Sequence, residues 1–227
     1  MPRGRRGRRI WMDGWTPPRL YLITDRKVVP AGSSLPEAIS RALAAAAPFR
    51  LQNGRLPVAI SLREKDLPTG ALVTLALKVA DITKTFGADL FINGRVDVAL
   101  ACGAEGVHLP AGELFPDEVH FFSPNLRIGV STHSASEVAV AAENGADFVV
   151  FGPVFDTPSK KGVRQTVGLG ALERAARETI PVLALGGVSS VNASACKEAG
   201  AWGVACIRAV FTQLDPTDET VSFLAHF

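Results

Sequence analysis

Eight short apolar runs alternating with alanine-rich helical stretches predict an α/β chain folded as a single TIM (β/α)8 barrel. The runs are apolar throughout instead of alternating with polar residues, the pattern of parallel strands covered on their outer face. Variants of Gly-Ala-Asp precede strand positions at Gly87-Ala88-Asp89, Gly103-Ala104-Glu105, Gly145-Ala146-Asp147 and Gly200-Ala201-Trp202. Each supplies a helix-terminating glycine that leads into the next run. A doubly wound open sheet is the alternative that the same alternation allows.

The units follow in order. Leu20 to Thr24 is followed by the alanine-rich Leu35 to Ala47, and Val58 to Leu62 by Gly70 to Phe86, which Gly87 stops. Leu90 to Asn93 leads to Val96 to Cys102, stopped by Gly103, and Gly106 to Leu109 leads to Phe115 to Phe122. Arg127 to Ser131 precedes Ala135 to Asn144, stopped by Gly145, and Phe148 to Gly152 precedes Leu169 to Glu178. Val182 to Leu185 ends in two glycines before Val191 to Ala199, and Gly203 to Ile207 precedes a last helix within Asp215 to Phe227. The connection 48–57 is longer than a tight helix-to-strand link needs, with a turn at Asn53-Gly54. It belongs to the lower face, so it is expected to serve stability or subunit contacts.

At 227 residues, 47% of them hydrophobic and 20% charged, the chain can bury a large single core. Residues 1–18 read as a disordered basic arm, with Met12 a second candidate start, and 19–227 as the barrel domain. The net charge is only +2, and much of the positive charge sits in Arg3, Arg5, Arg6, Arg8 and Arg9, so the folded part offers no nucleic-acid face. Ile10 to Arg19 is too short and polar for a signal core or a membrane span, so no membrane partner is expected. Cys102, Cys196 and Cys206 are odd in number, lack CxxC spacing and lie in apolar settings, as small hydrophobes of a reducing cytoplasm do.

Barrel chemistry lies at the carboxyl ends of the strands. Gly186 and Gly187 end the seventh run and Ile207 with Arg208 the eighth; each precedes a helix, so their backbone N–H groups form a candidate phosphate cradle. Other strand ends carry Thr24, Asp25 and Arg26; Arg63, Glu64 and Lys65; Asn93 and Arg95; His108; and Ser131, Thr132 and His133. The sixth leads into Asp156-Thr157-Pro158-Ser159-Lys160-Lys161, where Thr157 and Ser159 can close over a ligand. Arg63 and Lys65 after the second run and Lys160 after the sixth converge from two loops on one rim, which suits an anion. Asp25 and Asp97 read as structural acids. No strand places an interior lysine, which argues against a Schiff-base aldolase of sugar phosphates.

The segments Tyr21-Leu-Ile-Thr-Asp25, Leu62-Arg-Glu-Lys65, Ile92-Asn-Gly-Arg95, Gly106-Val-His-Leu-Pro110, Gly129-Val-Ser-Thr-His-Ser134, Gly152-Pro-Val-Phe155 and Ala184-Leu-Gly-Gly-Val188 resemble the thiamin phosphate synthase and TenI superfamily. The resemblance runs in order from about Leu20 to Ala209. It implies a thiazole phosphate as small-molecule partner, bound at Gly186-Gly187 and the loop after Ile207, and allows a homodimer.

The superfamily holds two chemistries. Synthases join hydroxymethylpyrimidine diphosphate to thiazole phosphate, and their pattern carries Gln-x-Arg-x-Lys, Asn-Asp and a further Asp that together hold Mg2+. Here Ser61 stands for the Gln, Gly94 for the Asp of Asn-Asp, and only Glu113 stands at the second acidic position. With that set reduced, Asn93-Gly-Arg95 and Leu109-Pro110 place the chain closer to TenI, whose members aromatise a thiazole carboxylate phosphate without cofactor. The expectation is therefore a tautomerase with His133 as proton carrier, Ser131 and Thr132 orienting the substrate, and no metal. The alternatives are a divergent synthase that keeps Mg2+ on Glu113 and a non-catalytic thiamin-phosphate binder.

Overall fold

The computed structural model describes residues 14–157 and 166–227. Eight parallel strands close into a barrel in sequence order, each pairing with its neighbours and β1 with β8. They are β1 (Leu20–Ile23), β2 (Val58–Leu62), β3 (Asp89–Asn93), β4 (Gly106–Leu109), β5 (Arg127–Thr132), β6 (Phe148–Phe151), β7 (Val182–Leu185) and β8 (Gly203–Cys206). Outside them run α1 (Leu35–Ala45), α2 (Thr69–Phe86), α3 (Val96–Cys102), α4 (Pro116–Phe122), α5 (Ala135–Glu143), α6 (Gly168–Ala176), α7 (Ala193–Glu198), α8 (Arg208–Phe211) and α9 (Thr217–Leu224). The barrel prediction holds, with strand ends shifted by a residue at most. The sequence missed α8 and two short 3-10 turns, Arg26–Val28 and Ala47–Phe49, because elements of three or four residues carry no apolar stripe.

Two apolar layers result from the alternation of side chains along each strand. Outward residues such as Leu22, Ile60, Ile92 and Val149 pack against Ile39, Leu43, Val79 and Leu172 of the helices. Inward residues form a second cluster around Tyr21, Phe91 and Phe148, whose rings meet edge to face at 5.3–5.6 Å. Register partners of the phenylalanines are glycines: Phe91 pairs with Gly106 and Gly129 with Phe148. A Cβ on Gly129 would stand 2.5 Å from Phe148 Cζ, so the large ring requires the missing side chain. Gly129→Ala is expected to lower stability by about 1–3 kcal/mol, and adding Phe148→Leu to recover part of it, as read from urea midpoints.

The lower face is sealed. Trp15, within the stretch read as a basic arm, is buried and its Nε1 donates to Asp89 at 2.9 Å. Trp202 Nε1 donates to the Pro17 carbonyl, and Arg19 lies 3.7 Å over the Trp202 ring. Residues 14–18 thus belong to the folded body, while 1–13 lie outside the described residues. The long 48–57 connection docks here too: Leu56 N–H donates to the Gly87 carbonyl and Arg55 bonds Asp89 at the start of β3. A cavity of about 580 Å³ on this face is lined by Trp15, Arg55, Glu105 and Arg127. Its cations are engaged, Arg55 with Asp89 and Arg127 with Asp147, so it offers no unpaired charge to a ligand.

The cysteines are free thiols, Cys196 and Cys206 buried and Cys102 half-buried. Burial pushes Cys196 up to about 11 and Cys206 up to about 12, which keeps both protonated and unreactive. Among the described residues no helix is long and apolar enough to cross a membrane.

Candidate active site

The upper rim is assembled from loops that are tied to one another, beginning with those after β1 and β2. Glu64 is buried and accepts from Thr24 Oγ1 at 2.7 Å, from the Arg26 N–H at 3.1 Å and from Arg26 Nη1 at 3.0 Å. Thr24 Oγ1 in turn accepts the Arg63 N–H at 2.9 Å. Asp25, read as a structural acid, caps the turn that follows by accepting the Lys27 N–H. Arg26 and Lys27 spend their charge on Asp66, at 2.7 and 2.8 Å. Arg63 and Lys65 do not: among the described residues neither meets a carboxylate. Arg63 is half-buried just beyond the end of β2, and its charge helps to lower the His108 pKa. The sequence alone could not separate these cations, because all four lie just beyond strand ends.

The β3 and β4 loops hang on the backbone of His108. Its carbonyl accepts the Gly94 N–H at 2.9 Å and Asn93 Nδ2 at 3.2 Å, so the Asn93 amide oxygen is left for another partner. Gly94 has φ +68°, and a Cβ built there would lie 3.6 Å from Glu113 Oε2. The Glu113 carboxylate therefore stands against the position whose acid the chain lacks. Arg95 is drawn aside by Asp97 at 2.6 Å, at the start of α3, so both act as a structural pair.

His108 itself is buried in the barrel, with Nδ1 3.3 Å from Tyr21 Oη and Nε2 2.8 Å from Ser131 Oγ. Burial, helped by the Arg63 charge, lowers it to about 4 from the ordinary 6.5. The folded state then binds fewer protons than the unfolded state between those values. This contribution to stability is complete above about pH 6.5 and is lost as pH falls, by about 3 kcal/mol near pH 4. His108→Gln is expected to flatten this acid limb, measured as urea midpoints at about pH 7 and 4.5.

Ser131 is half-buried at the mouth, but strand alternation turns Thr132 to the helix side, where it is buried and its Oγ1 has no partner among the described residues. Thr132 therefore does not line the mouth as the sequence suggested. His133 Nδ1 donates to the Gly152 carbonyl, and its N–H donates to Glu137 Oε2 at 2.8 Å. A carbonyl only accepts, so Nδ1 carries the proton and Nε2 is the open nitrogen. The ring fastens the β5 loop to the β6 loop.

The β6 loop continues alongside the end of β7: Val154 N–H donates to the Leu185 carbonyl at 2.8 Å and Phe155 N–H to the Gly186 carbonyl at 2.9 Å. Gly186 (φ +98°) and Gly187 (φ +63°) leave no room for a side chain; a Cβ would stand 2.5 Å from Pro153 Cα in the first and 2.4 Å from the Asp156 carbonyl in the second. The glycines thus answer first to the neighbouring loop, where the sequence suggested only room for a ligand. The Gly187 and Val188 N–H groups meet no acceptor among the described residues. Ile207, half-buried, ends β8, and α8 opens at Arg208 with its leading N–H groups lacking intrahelical acceptors. Thr157 lies at the end of the described β6 loop; Ser159 and Lys160 lie outside the described residues.

Contacts the sequence did not reveal hold the β7 loop from the far end of the chain. Asn192 Nδ2 donates to the Gly187 carbonyl at 3.0 Å, and Glu219 of α9 accepts from the Ser190 N–H and hydroxyl at 3.1 and 3.0 Å. His226 Nε2 donates to the Ser190 carbonyl at 2.9 Å. Separations of 29 and 36 residues leave no local signal of such pairs.

Fold and rim together define a (β/α)8 barrel whose mouth joins unpaired cations to free backbone amides. The family model described as thiamine monophosphate synthase matches residues 20–210, and the chain belongs to that enzyme family, which acts on small molecules. A Geobacter sulfurreducens protein with the provisional name thiamine-phosphate synthase is 42% identical over 209 residues, covering 91% of this chain and 92% of its own. A Roseiflexus castenholzii protein named thiamine-phosphate synthase is 38% identical over 204 residues, covering 88% and 84%. Among solved structures, thiamine phosphate pyrophosphorylase from Pyrococcus furiosus superposes with a TM-score of 0.77 at 32% identity, covering 90% of this chain and 93% of that one.

These relatives overturn the tautomerase expectation, and the residues that suggested it take different roles in the folded barrel. Ser61 is buried in the barrel, and the missing acid at Gly94 is faced by Glu113. His133, read as the proton carrier, fastens two loops.

Proposed function

We propose that the chain is a thiamine-phosphate synthase, joining hydroxymethylpyrimidine diphosphate to thiazole phosphate with release of pyrophosphate. The observation that carries this reading is Arg63, half-buried at the carboxyl end of β2 and without a carboxylate among the described residues, while Arg26 and Lys27 are neutralised. An unpaired cation at a half-buried site suits an anionic leaving group. The thiazole nitrogen forms a bond to the pyrimidine methylene carbon as the bond from that carbon to the diphosphate oxygen breaks. Negative charge grows on the departing pyrophosphate, where Arg63 and Lys65 bind it. The Gly187 and Val188 amides and the first turn of α8 hold the thiazole phosphate ester. No proton leaves carbon in this step, so His133 serves as a positioning residue for the β6 loop.

The residues present suit Mg2+ as a cofactor. Hard oxygen donors from one or two carboxylates plus substrate phosphates are its usual ligands, and Glu113 lies beside the loop that presents the Asn93 amide oxygen. Asn93 and Glu113 would hold it; when bound, it neutralises charge on the leaving pyrophosphate. The test is to incubate the purified protein with both substrates and Mg2+ and follow thiamin phosphate and pyrophosphate in equal amounts. Binding of both substrates without any thiamin phosphate would overturn the assignment.

A further inference from the structure

A line of polar side chains crosses the otherwise apolar barrel interior and ends at the mouth. Tyr21 Oη lies 3.3 Å from His108 Nδ1, and His108 Nε2 lies 2.8 Å from Ser131 Oγ. Tyr21 and His108 are buried, whereas Ser131 is half-buried at the end of β5. The joining step gives His108 and Tyr21 no task, yet buried polar groups are costly unless their hydrogen bonds are arranged.

With the imidazole neutral, such a line has two possible polarities. In the inward one, Ser131 donates to Nε2 and Nδ1–H to Tyr21. The Tyr21 hydroxyl hydrogen is then left at the inner end, where the Phe91 and Phe148 rings pack edge to face against Tyr21. A buried donor without an acceptor costs about 1–3 kcal/mol. In the outward polarity Tyr21 donates to Nδ1 and Nε2–H to Ser131 Oγ. Both buried hydrogens of the line then have an acceptor, and the spare one is the Ser131 hydroxyl hydrogen at the open mouth.

We propose that Tyr21 and His108 are positioning residues that fix the Ser131 hydroxyl as a hydrogen-bond donor facing the mouth, ready for an oxygen of the pyrophosphate group. The ligand half rests on the synthase reading; the polarity of the line does not. In 15N-histidine-labelled full-length protein, long-range proton–nitrogen correlation is expected to show His108 as the Nε2–H tautomer. Tyr21→Phe, which removes the donor to Nδ1 with little change of shape, is expected to abolish that fixed tautomer. By calorimetry with inorganic pyrophosphate, Ser131→Ala and Tyr21→Phe each weaken binding, by about tenfold for the serine, and the double variant is no weaker than Ser131→Ala alone. His108→Gln, whose amide can accept from Tyr21 and donate to Ser131, keeps most of the affinity, whereas His108→Leu loses it. A wild-type Nδ1–H tautomer, or additive losses in the double variant, would overturn the proposal. Wild-type protein that shows the Nε2–H tautomer but does not bind pyrophosphate would refute the ligand half together with the synthase reading.

Discussion

Arg63→Ala is expected to lower turnover to thiamin phosphate by about a hundred- to a thousandfold while leaving the protein folded. The magnitude is that of removing one pre-aligned donor from developing negative charge in a partly desolvated site. Among the described residues Arg63 pairs with no carboxylate, so its removal strands none of them, unlike Arg26, whose loss would leave Glu64 buried without its cation. Arg63→Lys should recover only part of the loss, because an ammonium keeps the charge but not the planar fork that matches two phosphate oxygens. A second readout separates this electrostatic role from misfolding. Burial is the larger cause of the low His108 value and the Arg63 charge the smaller, so removing Arg63 lets His108 rise partway towards its ordinary value. The variant should then be somewhat more resistant to unfolding near pH 4 than the wild type, though much less active. Retention of near-normal turnover, with inorganic pyrophosphate still bound as tightly, would remove the basis of the proposed leaving-group site.

Local pattern and tertiary placement contributed differently to what could be read from the chain. The barrel was legible because continuous apolar runs and glycine stops are properties of neighbouring residues, and β2, β4 and β7 have the predicted bounds. The cationic rim was legible as a set but not by member, since only the folded loops show Asp66 neutralising Arg26 and Lys27 while leaving Arg63 open. Motif comparison misjudged the branch because it weighed the acid lost at Gly94 without the fold, in which Glu113, the carboxylate read at the second acidic position, lies against Gly94. It also gave His108 little weight, although its side chain meets Tyr21 across 87 residues and its carbonyl supports Asn93 and Gly94. Strand alternation could have excluded Thr132 from the mouth, given that Ser131 faces inward.

Gly187→Ala is expected to damage both stability and the phosphate cradle. At φ +63° an alanine bears a left-handed strain of about 1–2 kcal/mol. Its Cβ would also stand 2.4 Å from the Asp156 carbonyl and 2.8 Å from Phe155 Cβ, neither of which is the far end of a flexible side chain. Relief requires the β6 loop to retreat or the β7 loop to rotate. Either movement disturbs the bond from Phe155 N–H to the Gly186 carbonyl and turns the Gly187 and Val188 amides away from the ester. Thiazole phosphate affinity should fall by at least about thirtyfold, the equivalent of losing a charge-assisted hydrogen bond or more. Gly103→Ala supplies the control: φ is +65° there, but a Cβ meets nothing within 4 Å and the site caps α3 far from the mouth. That variant should lose about 1 kcal/mol of stability from strain alone and bind thiazole phosphate normally. Calorimetric titration of both variants alongside urea unfolding decides the matter. If Gly187→Ala binds the ester like the wild type despite its lower midpoint, the glycines serve only the packing of the β6 loop and the phosphate must sit elsewhere on the rim.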